Sequence, residues 1–222
     1  MTEVDLDLLV AALQREGVEK PHTILATTAH WLDDETRRRI DERLTADVQA
    51  ASKILARPTA ECYGWVSTPE ASQAILAAAR GSEAVLATRT GSTVRLEPID
   101  PDGLIDAVVA QLPNTPPADG RSLNIPATDL EPPQGVLDER PSSDVRMLRT
   151  LMARPRTASG QLHVAGRDRL NRRRRTPNPL SYLDVREGRW MTRATADGWV
   201  HATPATARLI ATTLGRMRRQ LG

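Results

Sequence analysis

The side chains best suited to acid–base chemistry or metal binding in this chain are four histidines and one cysteine, and they are scattered. The histidines are His22, His30, His163 and His201. No group of Cys and His residues has the spacing of zinc ligands, and no H-E-x-x-H sequence occurs. Cys62 lies in a predicted strand and not at a helix N-terminus, so we expect a buried, unreactive thiol. The sequence therefore predicts no metal-binding residues.

Catalytic and nucleotide-binding motifs are also missing from the sequence. The chain has no phosphate-binding G-x-x-x-x-G-K-[ST] loop, no G-x-G-x-x-G after a strand and no G-x-S-x-G elbow. The one acidic pair, Asp33 and Asp34, stands where a helix should begin, and we interpret it as a helix cap. We therefore expect a protein that is not an enzyme, with no catalytic or cofactor-binding residues and no cofactor.

Four consecutive arginines, Arg172, Arg173, Arg174 and Arg175, form the densest charge in the chain and are predicted to lie in a long hairpin loop. Such a run is a solvated loop, a contact for acidic residues of a partner protein, or a nucleic-acid contact. No aromatic residues are interleaved with the arginines, and the formal net charge is only +2, which argues against nucleic acid. A nucleic-acid-binding or regulatory module stays the alternative function, with the four arginines as candidate partner-binding residues.

Four aromatic residues on predicted strands are further candidates for partner binding: Tyr63, Trp65, Tyr182 and Trp190. Tyr and Trp supply large contact areas and are enriched in interface hot spots. Packing in the core is the competing interpretation for each of them. Because side chains alternate along a strand, Tyr63 and Trp65 must share one face of the sheet.

With 222 residues, the chain is long enough to bury a sizeable hydrophobic core, and we expect no membrane insertion. No apolar run approaches the roughly 18 residues of a membrane span, and the start of the chain has no basic segment typical of a signal peptide. A single cysteine excludes an intrachain disulfide and fits a reducing compartment. We therefore expect a cytoplasmic protein.

Hydrophobic periodicity and turn residues predict closely spaced strands bounded by helices, which is typical of antiparallel hairpins. Strands are predicted at 61–67, 72–79, 83–90, 93–99, 122–128, 161–167, 180–185, 189–194 and 198–203, with a further edge strand at 22–30. Helices are predicted at 6–15, from Asp33 or Asp34 to residue 55, at 102–112, from Ser143 or Asp144 to Arg154, and from residue 205 to the C-terminus.

The two halves of the chain repeat one order of elements. A helix ends in Ala56-Arg57-Pro58 in the first half and in Ala153-Arg154-Pro155 in the second. Each is followed by short strands, a proline and another helix. We interpret this as a single domain with pseudo-repeat halves at about 34–130 and 144–222 and a linker at about 131–143.

The order of several segments resembles the EspG family of secretion-associated proteins in actinobacterial type VII (ESX) systems. In the second half these segments are 160–168, 180–184, 188–190 and 197–200. In the first half they are 55–64, 84–87 and 102–113. The resemblance covers roughly residues 35–222, and the Arg-rich, Lys-poor composition fits an actinobacterium.

The resemblance implies an α/β (α+β) fold with a central, mostly antiparallel sheet flanked by helical bundles and a quasi-two-fold repeat of α-βββ-α halves. It also implies a cytosolic chaperone that binds a PPE-like substrate of a PE–PPE pair, or another helical-hairpin substrate, keeps it soluble and delivers it for secretion. The identity of the substrate and the oligomeric state stay open, with a weak homodimer as one alternative.

Overall fold

One large antiparallel sheet organises the molecule, with helices on both of its faces. The computed structural model describes residues 1–20, 22–26, 43–130 and 141–221. In these residues the sheet has eleven strands in the order β1-β5-β4-β3-β2-β7-β9-β10-β11-β6, with β8 paired to β7 alone. The strands are β1 Thr2–Asp5, β2 Ala60–Ser67, β3 Ser72–Arg80, β4 Glu83–Thr90, β5 Thr93–Ile99, β6 Leu123–Pro126, β7 Ala158–Arg167, β8 Arg173–Arg175, β9 Leu180–Val185, β10 Gly188–Ala194 and β11 Trp199–Pro204.

Tight turns explain why consecutive strands are neighbours in this sheet. Gly81 and Gly91 have φ of 62° and 59° in the two-residue turns that join β3 to β4 and β4 to β5. Glycine occupies this left-handed region without the steric cost that a Cβ imposes. These turns fix the register of the first meander, and the predicted strands of both meanders agree with the structure to within three residues at each end.

Five α-helices are present in the described residues, and most begin at a polar cap. They are α1 Leu6–Arg15, α2 Ala46–Ala56, α3 Leu104–Val109, α4 Ser143–Ala153 and α5 Ala207–Arg219. Asp5, Thr45, Ser142 and Thr206 each accept a hydrogen bond from a backbone N–H in the first turn of α1, α2, α4 and α5. None of the described helices combines the length and apolar character needed to cross a membrane.

Two predictions near the N-terminus are wrong within the described residues. Residues 23–25 form a 3-10 turn and not an edge strand, because the His22 side chain caps Ile24. The long predicted helix does not run through to residue 55 as one element, since Thr45 is extended and caps a helix that begins at Ala46. Asp33, Asp34 and His30 lie outside the described residues, as do most positions of the predicted linker. The edge strand on this side of the sheet is instead β1.

Each face of the sheet has its own hydrophobic cores. On the face that bears Tyr63, helices α1 and α2 pack over the first half and α4 packs over the second. Val48 and Leu55 of α2 join Tyr63 in one core, and Leu148 of α4 joins Leu183 in the other. On the opposite face, which bears Cys62, helices α3 and α5 pack side by side. We call the first surface the groove face and the second the helix-pair face.

The two halves are related by a quasi-two-fold arrangement about the centre of the sheet. From the central pair β2–β7, each half runs outward as a meander, β2-β3-β4-β5 on one side and β7-β9-β10-β11 on the other. A short strand closes each edge, β1 on β5 and β6 on β11. The predicted strand near residues 122–128 therefore lies with the second half. Helices α2 and α4 both have eleven residues and both end before Arg-Pro.

The seam between the halves is marked by two glycines. Gly64 and Gly160 lie on either side of the Trp65–Gln161 pair, opposite Leu162 and Val66. A Cβ on Gly64 would overlap the carbonyl oxygen of Gln161, and a Cβ on Gly160 would overlap the carbonyl oxygen of Trp65. The close approach of β2 and β7 therefore requires glycine at both positions.

A fully buried ion pair anchors the hairpin β9–β10. Arg189 donates from Nε to Asp184 Oδ1 and from Nη2 to Asp184 Oδ2, both at 2.7 Å. The same Nη2 donates to the Pro113 carbonyl, and Thr115 Oγ1 donates to Asp184 Oδ2. The guanidinium also lies 5.0 Å from the ring centre of Tyr182. This network joins the hairpin to the loop that follows α3.

Candidate functional site

A row of side chains crosses four strands at the centre of the groove face. Trp65 of β2 is paired with Gln161 of β7, Gln161 with Ser181 of β9, and Ser181 with Thr192 of β10. Because alternate residues of a strand point to the same face, these four side chains lie together on the groove face. None of these four residues belongs to the core under α1 and α2 or to the core under α4.

An open depression of about 430 Å³ lies over this row, and we call it the sheet groove. Its lining residues are Trp65, Ser67, Met152, Arg156, Ser159, Gly160, Gln161, Ser181, Tyr182, Leu183 and Thr192. The polar members are hydroxyls and one amide, apart from the cation Arg156. Such a floor offers hydrogen-bond donors and acceptors without the desolvation cost of buried charges.

Two large apolar side chains border the sheet groove and are open to solvent. Trp65 is 37 % exposed, and Met152 near the C-terminal end of α4 is 45 % exposed. Both residue types are enriched in the buried parts of protein interfaces. Arg156 donates from Nη2 to the Met152 carbonyl, which ties the cation to the end of α4. The sheet groove therefore combines an apolar border, a polar floor and one cation on a rigid sheet.

A cluster of aromatic rings, in the neighbouring row of side chains on the groove face, packs against Trp65. Tyr63 stacks on His163, its partner across the β2–β7 seam, with ring centres 5.1 Å apart. Trp65 meets both rings edge to face, at 6.4 Å from Tyr63 and 6.2 Å from His163. His22 closes the other side of Tyr63 at 4.4 Å. These contacts restrict the Trp65 ring and lower the entropy that it would lose on binding a partner.

An ion pair with one buried member lies next to this ring cluster. Arg173 donates from Nε and Nη2 to the carboxylate of Glu61, with Nη2 2.5 Å from Oε2. The Glu61 side chain is buried, whereas the Arg173 side chain is 38 % exposed. Hydrogen bonding to Glu61 raises the pKa of Arg173, which keeps the guanidinium charged. The pair fastens β8 to the centre of the sheet.

The arginine run is consequently not the free loop that the sequence suggested. Residues 173–175 form β8, which pairs with residues 165–167 of β7. Arg172 and Arg174 both donate from Nε to Asp168 Oδ2 at 3.1 Å. Three of the four arginines thus neutralise carboxylates of this chain. Arg175 is not among these three, and Leu170 at the hairpin tip is largely exposed, although its backbone N–H donates to Asp168 Oδ1 at 3.0 Å.

The histidines of the ring cluster are neutral near pH 7. Burial lowers the pKa of His22 to about 4, although the nearby Glu61 carboxylate opposes this shift. Burial, and then the charges of Arg175 and Arg173, also lower the pKa of His163. Within the described residues His163 Nδ1 has no hydrogen-bond partner. Protonation of either ring would place a second cation beside Arg173.

Three of the four aromatic candidates lie in the core. Tyr63, Tyr182 and Trp190 are each less than one-tenth exposed. Tyr182 packs with the helix-pair core, where burial raises its pKa, and Trp190 packs under α4. Core packing covers these three side chains in the unbound chain, and their contact with a partner stays a prediction. Trp65 is the aromatic candidate that stays accessible.

The site also contains residues that the sequence did not single out. Met152, Arg156, Gln161, Ser181 and Thr192 line the sheet groove, and none was among the candidate partner-binding residues, although Gln161 and Ser181 lie in segments that resemble the EspG family. Strand alternation together with the β2–β7 register could have placed Gln161 beside Trp65. The register between these strands depends on pairing across about a hundred residues, which the sequence pattern does not specify.

The described residues contain no group of three or more His, Cys, Asp or Glu side chains that could hold a metal ion. Cys62 is buried on the helix-pair face, and burial raises its pKa to about 12. His201 is hydrogen-bonded through Nδ1 to Asn124 on the far edge of the sheet. These groups are therefore not positioned together for shared chemistry.

Comparisons with known proteins find a matching family and a solved structure of similar fold. A family model described as the EspG family matches residues 5–216. A solved structure of the Mycobacterium tuberculosis type VII secretion system chaperone EspG5, in complex with a PE25-PPE41 dimer, matches with a TM-score of 0.69 and 17 % sequence identity. The match covers 100 % of this chain and 96 % of that chain. At this identity the likeness shows the fold. A comparison with curated proteins finds no match.

Proposed function

The chain belongs to the EspG family, and we propose that it is a type VII secretion chaperone that binds a PE–PPE-like substrate in the sheet groove. The substrate is a secreted protein with a helical hairpin, which the chaperone keeps soluble in the cytoplasm and delivers for export. EspG5, which shares the fold, was solved with a PE25-PPE41 dimer, and this supports the class of partner. The role requires stoichiometric binding and no catalysis or cofactor.

The exposed Trp65 at the border of the sheet groove is the observation that most favours this site. Its ring is held by Tyr63 and His163, so binding a partner costs little further ordering. With Met152 it forms two apolar contacts that could cover the apolar tip of a helical hairpin. The hydroxyls of Ser181 and Thr192 can satisfy the polar backbone groups left free where such a hairpin turns.

The anchored arginines argue against the alternative of nucleic-acid binding. Arg172, Arg173 and Arg174 already contact Asp168 or Glu61, and a phosphate would have to compete with these carboxylates. The formal net charge of +2 leaves little long-range attraction for a polyanion. We therefore assign the run a structural role beside the sheet groove.

A pair of tryptophan variants tests the site. Trp199 is 40 % exposed, close to the 37 % of Trp65, but lies on β11 and faces the other side of the sheet. We expect Trp65→Ser to weaken binding of a co-expressed PE–PPE pair at least about tenfold, as hot-spot residues do. Trp199→Ser should bind as the unmodified chain does. Affinities would be measured by calorimetry on purified proteins whose melting curves match.

Two results would overturn this placement of the site. Equal affinities for the unmodified chain and the Trp65→Ser variant would show that the partner binds elsewhere. A loss of binding in both variants would show a general surface effect and not the sheet groove. Failure of every PE–PPE pair encoded near this protein to bind the unmodified chain would contradict the proposed function itself.

A further inference from the structure

A second groove lies on the helix-pair face, between α3 and α5. It is open, with a volume of about 660 Å³, and is separate from the sheet groove. The residues that line it are Asp102, Ile105, Asp106, Val109, Ala110, Ala207, Arg208, Ala211, Thr212, Gly215 and Arg219. The two helices occupy equivalent places after the last strand of each meander, so the quasi-two-fold axis, which is normal to the sheet between β2 and β7, crosses this groove.

Small side chains keep the floor of this inter-helix groove shallow. Ala207, Ala211 and Gly215 recur every four residues on α5 and therefore form one stripe. A Cβ on Gly215 would have only Arg219 Nη1 at 3.7 Å and Ile105 Cδ1 at 4.0 Å near it, which are ordinary contacts. The stripe leaves room for another helix to approach closely, as small residues do in tight helix packing.

The two walls of the inter-helix groove carry opposite charges. Asp102 and Asp106 lie on the α3 side, and Arg208 and Arg219 lie on the α5 side. All four residues are exposed. No ion pair involves any of them within the described residues, whereas Arg173, Arg174 and Arg189 elsewhere are all paired. The face is thus acidic on one side of the axis and basic on the other.

We propose that this face binds a second copy of the chain, with α3 of each copy against α5 of the other. A two-fold axis that lies in the interface, parallel to the groove, makes this surface meet itself, so every contact occurs twice. Such a rotation brings the acidic wall of one copy onto the basic wall of its partner copy at both ends. A different protein would need its own matching pattern of charge, whereas this chain already has one.

The proposal also fixes how self-association relates to substrate binding. The sheet groove lies on the opposite face of the sheet, so both sheet grooves of the dimer point outward. Two substrates could then bind to one dimer without displacing the partner copy. The small area between two short helices predicts a weak interface, with dissociation that rises with ionic strength. The dimer does not depend on the substrate proposed above.

Charge-reversal variants give a test that separates self-association from misfolding. In Asp106→Arg the groove walls are both basic, and in Arg208→Asp the reversed site faces Asp106 of the other copy. Each variant alone should weaken its own dimer at least about tenfold, measured by sedimentation velocity across a concentration series at low salt. An equimolar mixture of the two should form a heterodimer at least as well as the unmodified chain dimerises, because all reversed pairs become complementary.

The mixture controls for folding, since only folded chains can restore association. Native mass spectrometry distinguishes the heterodimer from both homodimers by mass. A chain that stays monomeric at all concentrations tested at low salt would overturn the proposal. Dimers of unchanged affinity in both single variants would show that the copies meet at another face. Weakened homodimers with no gain in the mixture would show that α3 and α5 do not face each other.

Discussion

Two arginine–carboxylate pairs in this molecule have the same chemistry and differ in their access to water. Arg189 and Asp184 are at most 1 % exposed and sit within one hairpin. Arg173 is 38 % exposed and reaches across the seam to Glu61, which is buried. The enclosed pair can only hold structure, because neither ion can return to solvent. The half-open pair lies beside the sheet groove, and its Arg173 side chain can leave Glu61 and be solvated by water. Burial therefore separates two structural pairs, one closed to water and one whose arginine stays open to it.

Loss of the enclosed arginine should have the largest effect on stability. Arg189→Met removes the partner of Asp184 and leaves a buried carboxylate with only Thr115 as a side-chain donor. We expect the free energy of unfolding to fall by about 3–5 kcal/mol, the usual cost of breaking a buried pair. Urea denaturation measures this loss. The double variant Arg189→Met, Asp184→Asn should recover part of it, and an equal loss in both would contradict the role of the stranded charge.

Loss of the half-open carboxylate should cost less. In Glu61→Gln the Arg173 side chain can turn into water, so no charge is left buried. We expect a loss of about 1.5–3 kcal/mol, the usual contribution of a hydrogen bond to a charged group. The same denaturation experiment would rank the two pairs. A loss as large as that in Arg189→Met would show that Arg173 is held as tightly as Arg189, and would remove the contrast between them.

A pH titration should show the smallest effect and sharpen the description of the half-open pair. The pKa of His22 falls from 6.5 to about 4 on folding, so between these values the unfolded chain binds more protons. The contribution of His22 to stability is therefore complete above about pH 6.5 and is lost as the pH falls toward 4. His22→Asn keeps a side-chain acceptor for the Ile24 N–H and removes the titration.

The corresponding measurement is the melting temperature of both chains at pH 7 and pH 5. The fall between these values should be smaller for His22→Asn than for the unmodified chain. His163, whose pKa is also lowered, remains in both chains, so its titration contributes to the fall in each. An identical fall in the two chains would show that His22 does not sense acid in this cluster.

The sequence predicted the meanders well because local chemistry determines them. Gly81 and Gly91 place the turns, and strand lengths follow from the residues between them. The resemblance to the EspG family and the fold class are confirmed. The N-terminal elements were harder to predict. Strand β1 has only four residues, two of them charged, and gives no alternating pattern long enough to detect. The helical spacing of apolar residues continues across Thr45, so the pattern gave no sign that the helix begins only at Ala46.

The candidate site was less predictable than the fold, for a physical reason. Alternation shows that Tyr63 and Trp65 share a face but not which of them a helix covers. Glu61 and Arg173 are 112 residues apart, and only the β2–β7 seam and β8 bring them together. Tyr182 and Trp190 are of residue types that are enriched in interfaces, yet each side chain packs in a core. Site residues on a sheet are determined by register and coverage, which are properties of the whole chain.

The seam of glycines has a consequence for how the molecule reaches its fold. Each meander joins strands that are neighbours in sequence, so its hairpins can form early and close short loops. The β2–β7 pair joins Tyr63 to His163 and must close a loop of about a hundred residues, which costs more chain entropy. With no Cβ at Gly64 or Gly160, two preformed meanders can meet there without side-chain rearrangement. We therefore expect the slow step of folding to be the docking of two nearly complete halves, at the line where Trp65 meets Gln161.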